Sequence, residues 1–319
     1  MDNETSFTQK IKEELCEQDY DEQRDKALLS AFIRLSGFIV FSGQEFKLIL
    51  KTENNKVAKY IYTLIKRYYP DLSLSFTYRR VMKFNKPTQY LININDNNEE
   101  LLKDLSIDFL DDKIPYNYTD KDNKVRGYFA GLFLCTGSCS NPISSNYHLE
   151  MYTNNEGFSN AILKLVKKIR DVDFGFKIIK RRNNYVVYLK RSDQISDFLA
   201  FINAYNSCLS FEDIRVNRDF ANVSNRLINM DTYNFKKTID KAEEQIKDIN
   251  EIDRWLGIKN ISNEKLRELC YLRKDNKEAT YNDLANMLSK KLNITVSKSN
   301  VNHLFIKIKE LAKGYRHEN

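Results

Sequence analysis

Two stretches of this chain carry the same succession of hydrophobic patterns. In the first, "LLSAFIRLSG" is a compact helical run that closes on Gly37. An alternating strand, "FKLILKT", follows. Val57, Ile61, Leu64 and Ile65 then recur at helical spacing. A strand pair, "LSLSFTYRR" with "TQYLINI", and a short helix, Glu99 to Leu105, complete the stretch. The second stretch repeats this order. "FAGLFLCTG" closes on Gly137, the strand is "YHLEMYT", and the helix carries Ile162, Leu165, Val166 and Ile169. The strand pair is "FGFKIIKRR" with "NYVVYLKR", and the last helix runs from Ser192 to Phe201. Thr52, Asn54, Leu64 and Lys66 align with Thr153, Asn155, Leu165 and Lys167, and Phe76 aligns with Phe176. The pattern predicts two α-β-α-β-β-α halves. Duplication of such a unit predicts a pseudo-two-fold α+β domain with one continuous, saddle-shaped sheet. Gly37 and Gly137 suit the left-handed position that ends a helix.

"FAGLFLCTG" has no charge and many small residues. Helices that meet on a pseudo-dyad need small side chains where their backbones approach. Ser30, Ala31, Ser36 and Gly37 supply them in the first half, and Ala130, Gly131, Thr136 and Gly137 in the second.

After the repeat the pattern is helical. Phe235, Ile239, Ala242, Ile246 and Ile249 make one charged, amphipathic helix. Leu266, Leu269 and Leu272 mark another, with Ser262 as its N-cap. "ATYNDLANMLSKKLNITVSKSNVNHLFIKIKELAK" reads as helix, turn, helix. Thr280 or Asn282 caps the first helix, which buries Leu284, Ala285 and Leu288. Ser297 caps the second, whose apolar stripe is Val301, Leu304, Phe305, Ile308 and Leu311. The expected organisation is an N-terminal helix and arm (1–20), a duplicated domain (21–215, halves about 21–115 and 116–215), a linker helix (216–253) and an all-α helix-turn-helix domain (254–319).

Composition sharpens the picture at one point. The 319 residues carry a net charge of +7, and from Trp255 onward there are 13 Lys/Arg against 7 Asp/Glu. The excess of positive charge is therefore concentrated at the C-terminal end, where it favours a polyanionic partner. Ser297, Lys298, Ser299, Asn302, His303 and Lys307 lie at or near the start of the last helix or on its polar side, where a recognition helix meets base edges. Asn suits adenine, and Lys suits phosphate or guanine. The five cysteines (Cys16, Cys135, Cys139, Cys208, Cys270) form no disulfide framework. With only His148, His303 and His317 besides, Cys135 and Cys139 read as small helix-end residues rather than a metal pair. No cofactor is expected. Neither an N-terminal signal nor a long apolar span is visible, so the expectation is a cytoplasmic protein without membrane contact.

Phe129 to Gly137 resembles the LAGLIDADG motif of homing endonucleases. In that family the two motif helices pack together, and the last acidic residue of each binds a divalent metal at the DNA backbone. Those positions correspond here to Ser36 and Thr136, neither of which can be an anionic ligand. Metal-assisted phosphodiester cleavage needs negative oxygen ligands, so the resemblance implies a fold retained without its nuclease centre. "SFTQKIKEELC", "GLFLCTGSCSNP", "NRLINMDTYNFKKTIDKAEEQ" and "SKSNVNHLFIKIKELA", in this order, resemble the WhiA sporulation regulators. That family joins a degenerate LAGLIDADG domain to a C-terminal helix-turn-helix. The resemblance implies a non-catalytic, nucleoid-associated protein that binds double-stranded DNA and acts in transcription, cell division or chromosome segregation. Another transcription factor or RNA polymerase is a candidate protein partner, which the sequence does not identify. Relatives place basic residues where Leu304 and Ile306 stand, which implies weaker, less salt-dependent binding here. Arg79 and Arg80, with Lys180, Arg181 and Arg182, occupy related hairpin ends, either a second DNA-gripping surface or ordinary solvated charge. An active endonuclease or RNA maturase, and a pure interaction scaffold, remain the alternatives.

Overall fold

The computed structural model describes residues 5–42, 45–80, 88–144, 146–169 and 172–317. The chain forms two compact units, Met1–Arg218 and Asp219–Asn319.

The first unit opens with α1 (Phe7–Cys16), capped by the Ser6 hydroxyl. Then come α2 (Glu22–Ser36), β1 (Gly37–Ser42), β2 (Glu45–Thr52), α3 (Asn55–Tyr68), β3 (Leu74–Arg79), β4 (Gln89–Ile94) and α4 (Asn98–Asp104). The order repeats as α5 (Asp122–Thr136), β5 (Gly137–Cys139), β6 (Leu149–Thr153), α6 (Glu156–Val166), β7 (Lys177–Arg181), β8 (Asn184–Leu189) and α7 (Ser192–Phe201). Each half is therefore α-β-β-α-β-β-α, one strand richer than the hydrophobic pattern predicts. The extra strands, "GFIVFS" and "GSC", do not alternate, and they follow the motif helices without a loop.

The sheet is not continuous. Two separate antiparallel sheets form, ordered β1-β2-β4-β3 and β5-β6-β8-β7. The halves meet through α2 and α5 instead. A β-carbon on Gly127 would collide with the Arg24 carbonyl, and one on Gly131 with the Leu28 carbonyl and the Ala31 methyl. Helix backbones this close leave no room for a larger side chain. The facing positions on α2, Ala27 and Ala31, are fully buried. Gly37 and Gly137 are not left-handed: their φ values are −77° and −68°. They are glycines because each lies against its own helix. A β-carbon at Gly37 would stand 2.5 Å from the Ile33 oxygen, and one at Gly137 would enter the Phe133 ring.

The aligned asparagines also have a structural cause. Asn54 caps α3 by accepting from the Val57 N–H, and Asn155 caps α6 through the Phe158 N–H. Phe7, Ile11 and Leu15 of α1 belong to the same core as both halves. Glu14 of α1 accepts from the backbone N–H groups of Asn206 and Ser207 at 2.6 and 2.8 Å, and from the Ser207 hydroxyl. Those residues open α8 (Tyr205–Trp255), so a carboxylate from the chain's first helix caps its longest.

The second unit contains the C-terminal part of α8, then α9 (Glu264–Asp275), α10 (Tyr281–Leu292) and α11 (Lys298–His317). Its core joins Ile249 and Ile252 to Leu266, Leu269, Leu284, Leu288, Val301, Phe305 and Ile308. Asn263, not Ser262, caps α9, through the Leu266 N–H. Thr280 and Asp283 form a reciprocal capping box at α10. Asn293, at φ 54°, ends α10 in the left-handed conformation. The apolar stripe of α11 ends on Ala312, which is fully buried, whereas Leu311 is 41% exposed.

Candidate nucleic-acid interface

In the α10–turn–α11 pair, α11 presents a polar face to solvent. The Ser297 hydroxyl accepts from the Asn300 N–H at 3.2 Å and so fixes the start of α11. Val301, Leu304, Phe305 and Ile308 are buried against α9 and α10. That leaves Lys298, Ser299, Asn302, His303, Ile306 and Lys307 exposed. Five residues of the expected reading set therefore share the solvent side, and the sixth, Ser297, serves as the cap. Leu304 belongs to the core, so it does not occupy a groove-facing position. Ile306, 47% exposed, offers an apolar surface among these polar residues.

The candidate surface on the first unit is less free. Arg79 and Arg80 are exposed, at the end of edge strand β3. Lys180 is exposed, with its ammonium 5.5 Å from the Tyr185 ring centre. Arg182, at φ 57°, sits in the two-residue turn between β7 and β8. Arg181 is already paired: its guanidinium lies 3.1 Å from the Glu150 carboxylate and 3.3 Å from the Tyr152 hydroxyl. His148 approaches the same carboxylate at 2.6 Å and stacks on Tyr188. Burial alone would raise the Glu150 pKa. Hydrogen bonds from Tyr152 and His148, with the Arg181 charge, outweigh it and hold the carboxyl below its ordinary range. The i, i+2 spacing of His148, Glu150 and Tyr152 was the sequence signal for this cluster, since alternate strand residues share a face.

The motif helices themselves end on neutral hydroxyls, Ser36 and Thr136. Ser36 donates to the Phe32 carbonyl at 2.8 Å, and Thr136 donates to Leu132 and accepts from the Tyr152 N–H. Both line one cavity of about 930 Å³, together with Lys12, Lys51 and Lys56 and the carboxylates of Glu13 and Glu53. Desolvation lowers the Lys12 pKa. Burial pushes the thiols of Cys135 and Cys139 up to about 12, so neither is a thiolate ligand near neutrality. Among the described residues no group of three His, Cys, Asp or Glu is placed to hold a metal ion. Among them, too, no helix is long and apolar enough to cross a membrane.

Comparison with known proteins agrees with this architecture. The WhiA N-terminal LAGLIDADG-like domain model matches residues 22–108, and the WhiA LAGLIDADG-like domain model matches 125–221. The model of the WhiA C-terminal HTH domain matches 224–312. A protein of Lacticaseibacillus paracasei named as a probable cell division protein WhiA is 35% identical over 316 residues, 98% of each chain. The chain belongs to the WhiA family. A Staphylococcus aureus WhiA of the same name is 36% identical over 314 residues, again 98% of each chain. The crystal structure of full-length DUF199/WhiA from Thermotoga maritima superposes with a TM-score of 0.58 at 23% identity, covering 97% of both chains. That likeness shows the fold: a WhiA chain with a LAGLIDADG-like unit and a helix-turn-helix.

Proposed function

We propose that this WhiA-family chain is a sequence-specific, non-catalytic DNA-binding regulator acting in cell division, chromosome segregation or sporulation. It works on the nucleoid in the cytoplasm. The observation that carries the reading is the division of α11 into two faces. Val301, Leu304, Phe305 and Ile308 are buried, while Lys298, Ser299, Asn302, His303 and Lys307 are left to solvent. Asn302 then supplies an amide for adenine, His303 a further hydrogen-bonding edge, and Lys298 and Lys307 cations for phosphate or guanine. The absence of carboxylates at Ser36 and Thr136 supports the non-catalytic part, because neutral hydroxyls do not anchor Mg²⁺ beside a phosphate.

The test begins with duplexes selected from a random pool by the wild-type chain. The triple variant Lys298→Ala/Asn302→Ala/His303→Ala is expected to bind them at least tenfold more weakly, since each good base contact contributes about 1–3 kcal/mol. Unchanged affinity would remove α11 as the reading helix. Metal-dependent, site-specific nicking of plasmid DNA by the wild type would remove the non-catalytic assignment.

A further inference from the structure

The second unit contains a cationic niche that shares Lys298 with the reading face. It is a cavity of about 350 Å³, lined by Asn234, Lys237, Thr238 and Lys241 of α8, by Thr280, Tyr281 and Asn282 at the start of α10, and by Lys298 and Arg273. No carboxylate lines it. Lys237 and Lys241 stand one turn apart on one face of α8. Neither they nor Lys298 makes an ion pair among the described residues.

Arg273 is the unusual member. It is 1% exposed, and no acidic partner accompanies it. One terminal nitrogen donates to the carbonyls of Asn276, Lys277 and Ala279, at 3.3, 3.4 and 2.9 Å, and so holds the α9–α10 loop. The Nε–H is buried and unpartnered. A buried guanidinium donor with neither counter-ion nor acceptor is costly. The start of α10 adds to the same field. The Tyr281 and Asn282 N–H groups lie in its first turn and so have no acceptor one turn back, while the Asp283 carboxylate is engaged by the Thr280 nitrogen and hydroxyl at 2.9 and 2.7 Å. Helix-terminal N–H groups and three ammoniums, with the buried Arg273 charge behind them, form a receptor for a tetrahedral oxyanion.

We propose that this niche binds a phosphate group, with Lys237 and Lys241 of the long helix acting beside Lys298 and the α10 N-terminus. The backbone of bound DNA is the source its position favours, because Lys298 belongs both to the niche and to the expected reading set. In that form the inference rests on the function proposed above. The long helix then contributes directly to the interface rather than only joining it to the first unit.

The test uses the full chain. Arg273 holds a loop, so its replacement risks the fold, whereas Lys237→Gln/Lys241→Gln changes only exposed helix positions. With random-sequence duplex this variant is expected to weaken binding by about tenfold near 0.1 M salt. The slope of log affinity against log salt should flatten by roughly one unit, the signature of one lost phosphate contact. Lys236→Gln/Lys247→Gln removes the same charge from exposed positions outside the niche and should leave the slope in place. A second readout is the backbone amide resonance of Asn282, which lines the niche, during titration of isotope-labelled protein with inorganic phosphate. It should shift in the wild type and stay still in the Lys237/Lys241 variant. An unchanged salt slope with a shifting resonance supports the site with a free phosphate compound as its ligand. Equal slopes for both variants and a silent resonance overturn the proposal. If the wild type bound no DNA at all, the regulator assignment would fall, while the phosphate titration would still decide the niche.

Discussion

A glycine in these helices can be structurally indispensable or dispensable, and neighbouring atoms alone decide which. Gly131 of α5 lies against the Leu28 carbonyl and the Ala31 methyl, whereas Gly314 of α11 has no atom within 4 Å of where a β-carbon would sit. Gly131→Ala is therefore expected to cost about 1–3 kcal/mol, because a packed helix pair must separate to admit the methyl. Gly314→Ala should gain up to about 1 kcal/mol, the ordinary helix preference of alanine over glycine. Urea unfolding of the two single variants checks both signs, and a neutral Gly131→Ala would mean that α2 and α5 pack less closely than described. The small-residue pattern of "FAGLFLCTG" made this close approach legible in the sequence. Gly127 makes an equally tight contact with Arg24 but lies outside that run. The conformation of Gly37 and Gly137 was not legible. Composition cannot separate a glycine needed for a left-handed turn from one needed because its own helix stands in the way.

At the scale of the element, β6 carries a cluster of charged and polar groups around Glu150. Glu150 receives His148, Tyr152 and Arg181 on a strand otherwise packed with Leu149 and Met151 beneath it. Its folded pKa lies below the ordinary carboxyl value of 4.5. The native state thus prefers the ionised form more than the unfolded chain does. The resulting stability is present above about pH 4.5 and is lost as pH falls through the depressed value. Glu150→Gln should cost about 1–3 kcal/mol at pH 7, as charge-assisted hydrogen bonds are weakened. The gap from wild type should narrow as pH falls below about 4.5. Denaturant curves of both proteins at pH 7 and pH 3.5 measure this, and a gap that stayed constant would show that Glu150 titrates normally. This cluster also explains why the hairpin cations were only partly legible. Arg181 looked equivalent to Lys180 and Arg182 in sequence, yet its acceptor stands 31 residues away on β6. The strand count failed for a related reason. "GFIVFS" has no alternation because it is an edge strand that continues directly from a helix, and "GSC" is too short to show any period.

At the scale of the molecule, the order of the two units and the helix-turn-helix were legible because their helices carry long apolar stripes and capping residues. The extent of α8 was not, because its middle buries almost nothing. From Asp219 to Lys237 nearly every side chain is exposed, including Phe220 at 74% and Tyr233 at 65%. A helix without a packed face is held only by its own hydrogen bonds and by the folded segments at its two ends. Local opening there should cost far less than opening either core, and a protease requires local opening. Limited chymotrypsin digestion is therefore expected to cut first at Phe220, Leu227 or Tyr233. It should leave two resistant products, one ending in this stretch and one beginning in it. The buried aromatic residues of both cores, such as Phe129 and Phe305, should remain uncut over the same period. Mass spectrometry of the earliest products locates the cuts. The C-terminal product keeps Lys237, Lys241 and all of α9 to α11, so it should still retard duplex DNA at low salt. First cleavage inside either core would mean that α8 is packed along its length, and the two units would then not be independent in stability.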